Sequence, residues 1–143
     1  MRLRILAIGR CRDAPIRELT ERWLVRCSLP AELVELQPRG SEAEALLAAL
    51  PSEGRIVALD ERGRDLGSAE IAATLGRWRD DGERLASFVI GGADGLDAAV
   101  LARADLRLAF GRATWPHMLV RAMLAEQLYR AGTILSGHPY HRA

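Results

Sequence analysis

The stretch FVIGGADGL, residues 88–96, indicates the fold of this chain: an apolar strand runs into a glycine-rich turn and then into a helix. Glycines at such a turn permit positive φ angles and a close backbone approach to a ligand, and the helix start offers free N–H groups. The stretch lacks the full glycine spacing of a dinucleotide-binding loop and the Gly-Lys-Ser/Thr of a phosphate loop. It therefore disfavours nicotinamide cofactors and nucleoside triphosphates, while a purely structural turn explains it equally well.

Short apolar runs alternate with amphipathic segments on both sides of this stretch. Five runs are typical of buried or half-buried strands: 3–8, 33–36, 55–59, 85–90 and 106–110. Helical patterns lie between and after them: 14–27, 42–50, 68–81, 96–103 and 117–131. Ser41 and Ser68 are the predicted N-caps of two of these helices. This alternation predicts an α/β fold, with a mostly parallel sheet flanked by helices on both faces.

The length predicts a single domain, 1–143, because 143 residues fit one core. Apolar residues make up 49% of the chain and charged residues 27%, as in folded globular proteins. The net charge of +1 gives no electrostatic signature of nucleic-acid binding. All 20 basic residues are arginine, however, and arginine suits contacts to phosphates and bases.

The cysteines Cys11 and Cys27 have no second pair and no neighbouring histidine cluster, so neither a disulfide framework nor a zinc site is predicted. No apolar run has the length of a signal peptide or of a membrane-spanning helix. We expect a cytoplasmic protein without a membrane partner and without a metal.

The loops after Leu59, Ile90 and Phe110 are the predicted functional loops, because parallel sheets bind ligands beyond the carboxyl ends of their strands. Residues 60–64 are charged except for Gly63, which is typical of a solvated connection. The helix predicted over 117–131 is apolar over so wide an arc that we expect it to contact both the sheet and a second subunit.

The last residues, 137–142, have the sequence GHPYHR, with two histidines, a tyrosine and an arginine within five positions. These side chains can hydrogen-bond, stack on a base or hold a phosphate. Chain ends are usually uninformative, but this density of polar and aromatic groups favours a function.

Several motifs, taken in order, resemble one known family. They are Leu6–Arg10, Leu59-Asp60 with Gly63-Arg64, Ile90–Leu96, Thr114–His117 with Arg121, Glu126–Ala131 and His138–Arg142. The family is the ribosomal RNA large-subunit methyltransferase H family of the SPOUT superfamily, and the resemblance covers essentially the whole chain. It implies an α/β fold with a C-terminal trefoil knot and a homodimer. The hydrophobic periodicity alone predicts an unknotted sheet, because knots are rare in protein chains.

The resemblance also implies the activity, which is methyl transfer from S-adenosylmethionine to N3 of a pseudouridine in 23S ribosomal RNA, without a metal. The residues that it places against S-adenosylmethionine are Leu59, Gly91, Phe110, Gly111, Arg112, Ala113, Thr114 and Trp115. Two of them depart from the family pattern: Trp115 stands where Leu or Phe is frequent, and Arg112 lies inside the loop. Backbone contacts to the cofactor would make both differences minor.

The tail residues His138, Tyr140, His141 and Arg142 are the predicted catalytic group. In this hypothesis, His141 removes the proton of the acceptor and Arg142 holds a phosphate. Tyr140 stacks on the base or forms a hydrogen bond with it. His138 is equally compatible with a structural role. Two other functions stay open: a ribosome-associated module that binds the cofactor without catalysis, and a nucleotide-dependent hydrolase. The second lacks a phosphate-binding lysine and a recognisable nucleophile set.

Overall fold

Five parallel strands form one sheet in the computed structural model, which describes residues 1–142. The strands are β1 (Arg2–Ile8), β2 (Ala31–Leu36), β3 (Arg55–Asp65), β4 (Leu85–Ile90) and β5 (Leu106–Ala109). Their order across the sheet is β2-β1-β4-β3-β5, and every neighbouring pair is parallel. All carboxyl ends therefore meet at one edge, which is called the carboxyl edge below.

Helices cover both faces of the sheet, because the strands place apolar side chains on both faces. In β1, Leu3 and Ile5 face one core cluster while Leu6 and Ile8 face the other, and none of the four is more than 5% exposed. The helices are α1 (Ala14–Arg26), α2 (Glu42–Ala49), α3 (Ser68–Asp80), α4 (Ala98–Leu101) and α5 (His117–Ser136), followed by a 3₁₀ turn (Pro139–Arg142). Residues of α1, α3 and α5 pack against the first cluster, and residues of α2 and α4 against the second.

The α/β fold and the five predicted strands are confirmed, and one of the two predicted N-caps is wrong. The hydroxyl of Ser41 accepts a 3.2 Å hydrogen bond from the first turn of α2, as predicted. Ser68 instead is the first residue of α3, and its hydroxyl donates to Gln127 of α5 at 2.7 Å. Gly67 is the N-cap there, and its N–H donates to the carboxylate of Glu70 at 3.3 Å. A carboxylate inside the first turn thus does the capping.

Two helices differ in length from the prediction. The helix expected over 96–103 is reduced to the short Ala98–Leu101, which Asp97 caps by accepting from the N–H of Ala99 at 2.9 Å. The last helix continues beyond residue 131 to Ser136, because nothing in that stretch breaks a helix before Gly137, whose φ of +76° ends it.

The predicted end of β3 at Leu59 is also wrong, since the strand continues to Asp65. Both Leu59 and Arg64 pair with Leu108 of β5, so the intervening residues leave the ladder and the chain returns to it. These residues are mainly charged, and no apolar pattern marked them as strand. A Cβ on Gly63 would lie 2.7 Å from the β5 backbone, so only glycine allows this approach.

Within residues 1–142, no helix is long and apolar enough to cross a membrane, and no group of three metal-ligating side chains is found. Cys11 and Cys27 are both free. The trefoil knot and the single domain over 1–143 stay predictions.

Candidate functional site

The turn that follows β4 is shaped by its glycines. The N–H of Gly95 donates to the carbonyl of Gly92 at 3.0 Å, and Gly95 has a φ of +79°. The turn folds back so far that a Cβ on Gly91 would lie 2.4 Å from the carbonyl oxygen of Gly95. Gly91 is thus required by the turn itself, in addition to any ligand that approaches it.

The loop between β5 and α5 is fixed by two side chains. The indole N–H of Trp115 donates to the carbonyl of Phe110 at 2.8 Å and closes the loop on itself. The hydroxyl of Thr114 donates to the carboxylate of Glu61 at 2.9 Å and ties the loop to β3. Among residues 1–142, no partner accepts a hydrogen bond from the backbone N–H groups of residues 111–115. The loop is therefore ordered and still has donors to offer.

The three predicted loops lie side by side, because β4, β3 and β5 are neighbours in the sheet. Leu59 and Phe110 are half-buried and pack against the larger core cluster, so they give this part of the edge an apolar floor. Gly111, Arg112 and Ala113 are exposed above it. An apolar floor beside unbonded N–H groups and the close glycine turn fits S-adenosylmethionine, whose adenine needs both apolar contact and hydrogen bonds.

A fully buried arginine, Arg121 of α5, lies behind the carboxyl end of β1. Its Nη2 donates to the carbonyls of Ile8 and Gly9 at 2.6 and 2.7 Å, and its Nη1 donates to Glu35 of β2 at 2.6 Å. Glu35 also accepts from the N–H of Cys11 at 2.7 Å. Burial lowers the pKa of Arg121, and the neighbouring carboxylate of Glu35 opposes that shift. The pair fixes the course of the chain from β1 into the next turn.

The C-terminal tail is docked on α5 and α1 through Tyr140. Its phenol donates to Glu126 at 2.8 Å, and Arg130 donates to the same carboxylate oxygen at 2.6 and 3.0 Å. The ring of Tyr140 lies 4.7 Å from that of Tyr129 and 5.8 Å from that of Trp23, and Arg130 stacks over it at 4.9 Å. Burial, followed by the hydrogen bond to Glu126, raises the pKa of Tyr140.

The two tail histidines have different surroundings. The ring Nδ1 of His138 accepts from the N–H of Tyr140 at 3.2 Å and so caps the 3₁₀ turn. The ring Nδ1 of His141 lies 2.6 Å from the carbonyl of His138, and since a carbonyl only accepts, Nδ1 carries the proton. Among the described residues, no group forms a hydrogen bond with the Nε2 of His141. The side chain of Arg142, and all of Ala143, lie outside the described residues.

Sequence patterns assigned no role to three residues that matter for this geometry. Glu35 was not singled out at all, and Arg121 and Glu126 entered only as parts of the family motifs. Arg121 precedes Leu124 and Leu128 by three and seven positions, a spacing that places it on their buried face and could have revealed it. The i,i+4 spacing of Glu126 and Arg130 likewise indicates an ion pair. Nothing in the sequence around Glu35 signals its partner.

Comparisons with known proteins agree with the family that the motifs indicated. A family model described as a predicted SPOUT methyltransferase matches residues 1–141. Proteins named Ribosomal RNA large subunit methyltransferase H from Paramagnetospirillum magneticum and Novosphingobium aromaticivorans are 52% and 54% identical, each over 99% of both chains. A crystal structure of a probable methyltransferase from Bordetella pertussis shares the fold, with a TM-score of 0.65 at 19% identity over 91% of this chain and 95% of that one. The chain therefore belongs to the SPOUT methyltransferases and, among them, to the ribosomal RNA large subunit methyltransferase H family.

Proposed function

We propose that this enzyme transfers a methyl group from S-adenosylmethionine to N3 of a pseudouridine in 23S ribosomal RNA. The observation that carries the proposal is the near full-length identity of about half with relatives named Ribosomal RNA large subunit methyltransferase H. The chemistry of the carboxyl edge and of the tail supports it. The product of the cofactor is S-adenosylhomocysteine, and the reaction needs no metal.

The cofactor site of the proposal consists of Leu59, Gly91 and the loop from Phe110 to Trp115. When bound, S-adenosylmethionine supplies a methyl group that its sulfonium already activates. The free N–H groups of residues 111–115 bind and orient the ligand over the apolar floor, and the tight turn that Gly91 permits lies beside it. Alignment of donor and acceptor is the main contribution of the chain, and such alignment is worth about 7–11 kcal/mol of barrier.

The acceptor side of the proposal consists of the tail. His141 takes the N3 proton at Nε2, the ring nitrogen that does not face the carbonyl of His138. His138 holds the tail turn through its bond to the N–H of Tyr140. Tyr140 contacts the target base, and Arg142 holds a phosphate. The target base is displaced from its stack to reach the methyl group.

We also propose that the active form is a two-fold homodimer that uses α5. An apolar groove of about 380 Å³ runs between α1 and α5, and Leu119 and Met123 of α5 line it together with Trp23 of α1. A symmetric dimer is the commonest way to cover such a surface. The chain should sediment as a dimer at micromolar concentration, and Met123→Asp should make it a monomer. A wild-type monomer would contradict the proposal.

The central experiment measures methyl transfer from labelled S-adenosylmethionine to 70S ribosomes, with the modified nucleotide located by nuclease digestion and mass spectrometry. Calorimetric titration with S-adenosylmethionine accompanies it. A non-catalytic binding module, the alternative function, would bind the cofactor without turnover. Binding with turnover at a pseudouridine of 23S RNA supports the proposal, and methylation elsewhere contradicts its finer part.

Removal of residues 138–143 tests the role of the tail. We expect cofactor affinity and dimerisation to stay nearly unchanged while methylation falls by orders of magnitude. Within the tail, His141→Ala should slow the chemical step, and Arg142→Ala should weaken ribosome binding. Full activity of the truncated chain would remove these side chains from the mechanism.

A further inference from the structure

A second concave site, outside the proposed cofactor loops, lies at the carboxyl edge between β1 and β2. It has a volume of about 300 Å³. The backbone of Ile8 and Gly9 forms part of its wall, and the side chains that bear on its chemistry are Arg10, Arg12 and Glu42. We call it the β1–β2 pocket. None of these residues belongs to the proposed cofactor loops or to the tail.

The wall of the β1–β2 pocket is held rigidly from behind. The carbonyls of Ile8 and Gly9 each accept a hydrogen bond from the buried Arg121, and the N–H of Cys11 donates to Glu35. These bonds flank Arg10, and Arg12 lies between Cys11 and Asp13, whose carbonyl accepts from the N–H of Arg17 at 3.0 Å. A preorganised turn spends less binding energy on ordering its side chains when a ligand arrives.

The charges of the β1–β2 pocket favour an anion. Arg10 and Arg12 are exposed, and among residues 1–142 no carboxylate lies within 4.0 Å of either guanidinium. Elsewhere at the carboxyl edge, Asp60 and Glu61 of β3 are interleaved with Arg62 and Arg64, and the loop after β4 carries Asp94. The β1–β2 pocket therefore presents two exposed arginines that pair with no carboxylate of residues 1–142, although the net charge of the whole chain is only +1.

Glu42 connects the β1–β2 pocket to the glycine turn. It lines the pocket, and a Cβ on Gly92 would lie 2.8 Å from its carboxylate. The pocket is therefore next to the turn at Gly91, as the adjacency of β1 and β4 also requires, since neighbouring strands are about 4.8 Å apart. A carboxylate at this boundary repels the carboxylate of a cofactor, whereas the two arginines lie beyond it.

We propose that the β1–β2 pocket binds a backbone phosphate of the RNA substrate, next to the nucleotide that is methylated. Arg10 and Arg12 supply the contacts, because a guanidinium matches phosphate oxygens with two parallel hydrogen bonds. The inference rests on the proposed function and adds to it a contact that fixes the register of the RNA. A phosphate contact of this kind positions the substrate without reading its sequence.

The test compares Arg10→Gln/Arg12→Gln with a control variant of equal charge change, Arg84→Gln/Arg103→Gln. Arg84 and Arg103 are both exposed, and Arg84 lies at the opposite edge of the sheet, before β4. For each variant we would measure S-adenosylmethionine affinity by calorimetry, KM and kcat for methylation of 70S ribosomes, and ribosome Kd across a range of salt concentrations.

The Arg10/Arg12 variant should keep its cofactor affinity and its kcat at saturating ribosomes, while KM and Kd rise by about tenfold or more. The slope of log Kd against log salt should fall by about 0.7 for each phosphate contact removed. Arg10→Lys/Arg12→Lys, which keeps the charge, should restore most of the slope. The control variant should resemble the wild type in all of these measurements.

Other results would overturn the inference. If the two variants lose ribosome affinity equally, the effect belongs to overall charge and the pocket has no special role. If cofactor affinity falls instead, the anion in the pocket is the carboxylate of S-adenosylmethionine. A wild-type chain that does not methylate ribosomes would refute the proposed function itself, which this design separates from failure of the pocket.

Discussion

The phenol of Tyr140 is bonded to Glu126, fourteen residues earlier on α5, at 2.8 Å. The ring that the proposal assigns to the target base is therefore packed within the chain, against Tyr129 and Trp23. Contact with a base requires either an exposed edge of this ring or its release from the cluster. On this proposal, docking of the tail and binding of RNA are coupled through one side chain.

Tyr140→Phe should loosen the tail without removing the ring. The variant loses the bond to the carboxylate of Glu126, which contributes about 1.5–3 kcal/mol, but keeps the aromatic packing. Hydrogen exchange of residues 137–142 should become faster than in the wild type. Tyr140→Ala should release the tail from its docked position. If the ring also contacts a base, the variant should in addition lose about 1–3 kcal/mol of binding free energy for the ribosome. Equal protection of wild type and Tyr140→Phe would show that the hydrogen bond does not hold the tail.

Alkaline pH should release the tail of the wild type. The folded pKa of Tyr140 is raised above the ordinary value of 10.0, so its neutral form is favoured in the docked state. The resulting stabilisation is fully present below pH 10 and is lost as the pH rises through the folded pKa. Limited proteolysis of the tail between pH 8 and 11.5 should show this loss, whereas Tyr140→Phe should show no such step. A step in the Phe variant would assign the transition to another group.

Gly91→Val should abolish S-adenosylmethionine binding and destabilise the fold, because its Cβ would meet the carbonyl of Gly95 at 2.4 Å. Gly40→Ala is the control, since its Cβ would meet nothing within 4 Å and its φ is ordinary. Calorimetry on samples shown to be folded by circular dichroism separates the two effects. Near-normal affinity in folded Gly91→Val would put the cofactor elsewhere.

Glu35→Gln should destabilise the chain by about 3 kcal/mol, because it leaves the guanidinium of Arg121 buried without a counter-charge. Arg121→Met should also destabilise it, and the double variant should lose less than the sum of the two single losses. Urea unfolding provides the free energies. The exposed pair Arg79–Asp80 is the control, and its removal should cost under about 1 kcal/mol. Strict additivity would show that Glu35 and Arg121 act independently.

The strands of the fold were predictable because burial imposes a simple alternation on them. In β1 and β4 the side chains alternate between two apolar layers, and the resulting runs are unmistakable in the sequence. The return of β3 at Arg64 left no such trace, since only the backbone at Gly63 reveals how closely it approaches β5. The order of the strands depends on contacts between distant segments, which local pattern does not encode.

The candidate site divides in the same way. Glycine at Gly91 and the position of Phe110 at a strand end follow from local rules of turns and parallel sheets. The bond of Tyr140 to Glu126 does not follow from local rules, because the ring of Tyr140 also packs against Trp23 of α1, which is distant in the sequence. The clamp of Arg121 on Ile8 joins residues 113 positions apart and is equally nonlocal.

The position of β4 between β1 and β3 has a consequence for synthesis of the chain. Both outer neighbours of β4 leave the ribosome before it does, and each waits with an unpaired edge. If β1 paired directly with β3, the two strands would have to separate before β4 could insert between them. Refolding should therefore include a slow phase in which this wrongly paired sheet comes apart. Once β4, which ends at residue 90, has paired with β1 and β3, neither dilute conditions nor a chaperone that shields strand edges should be needed.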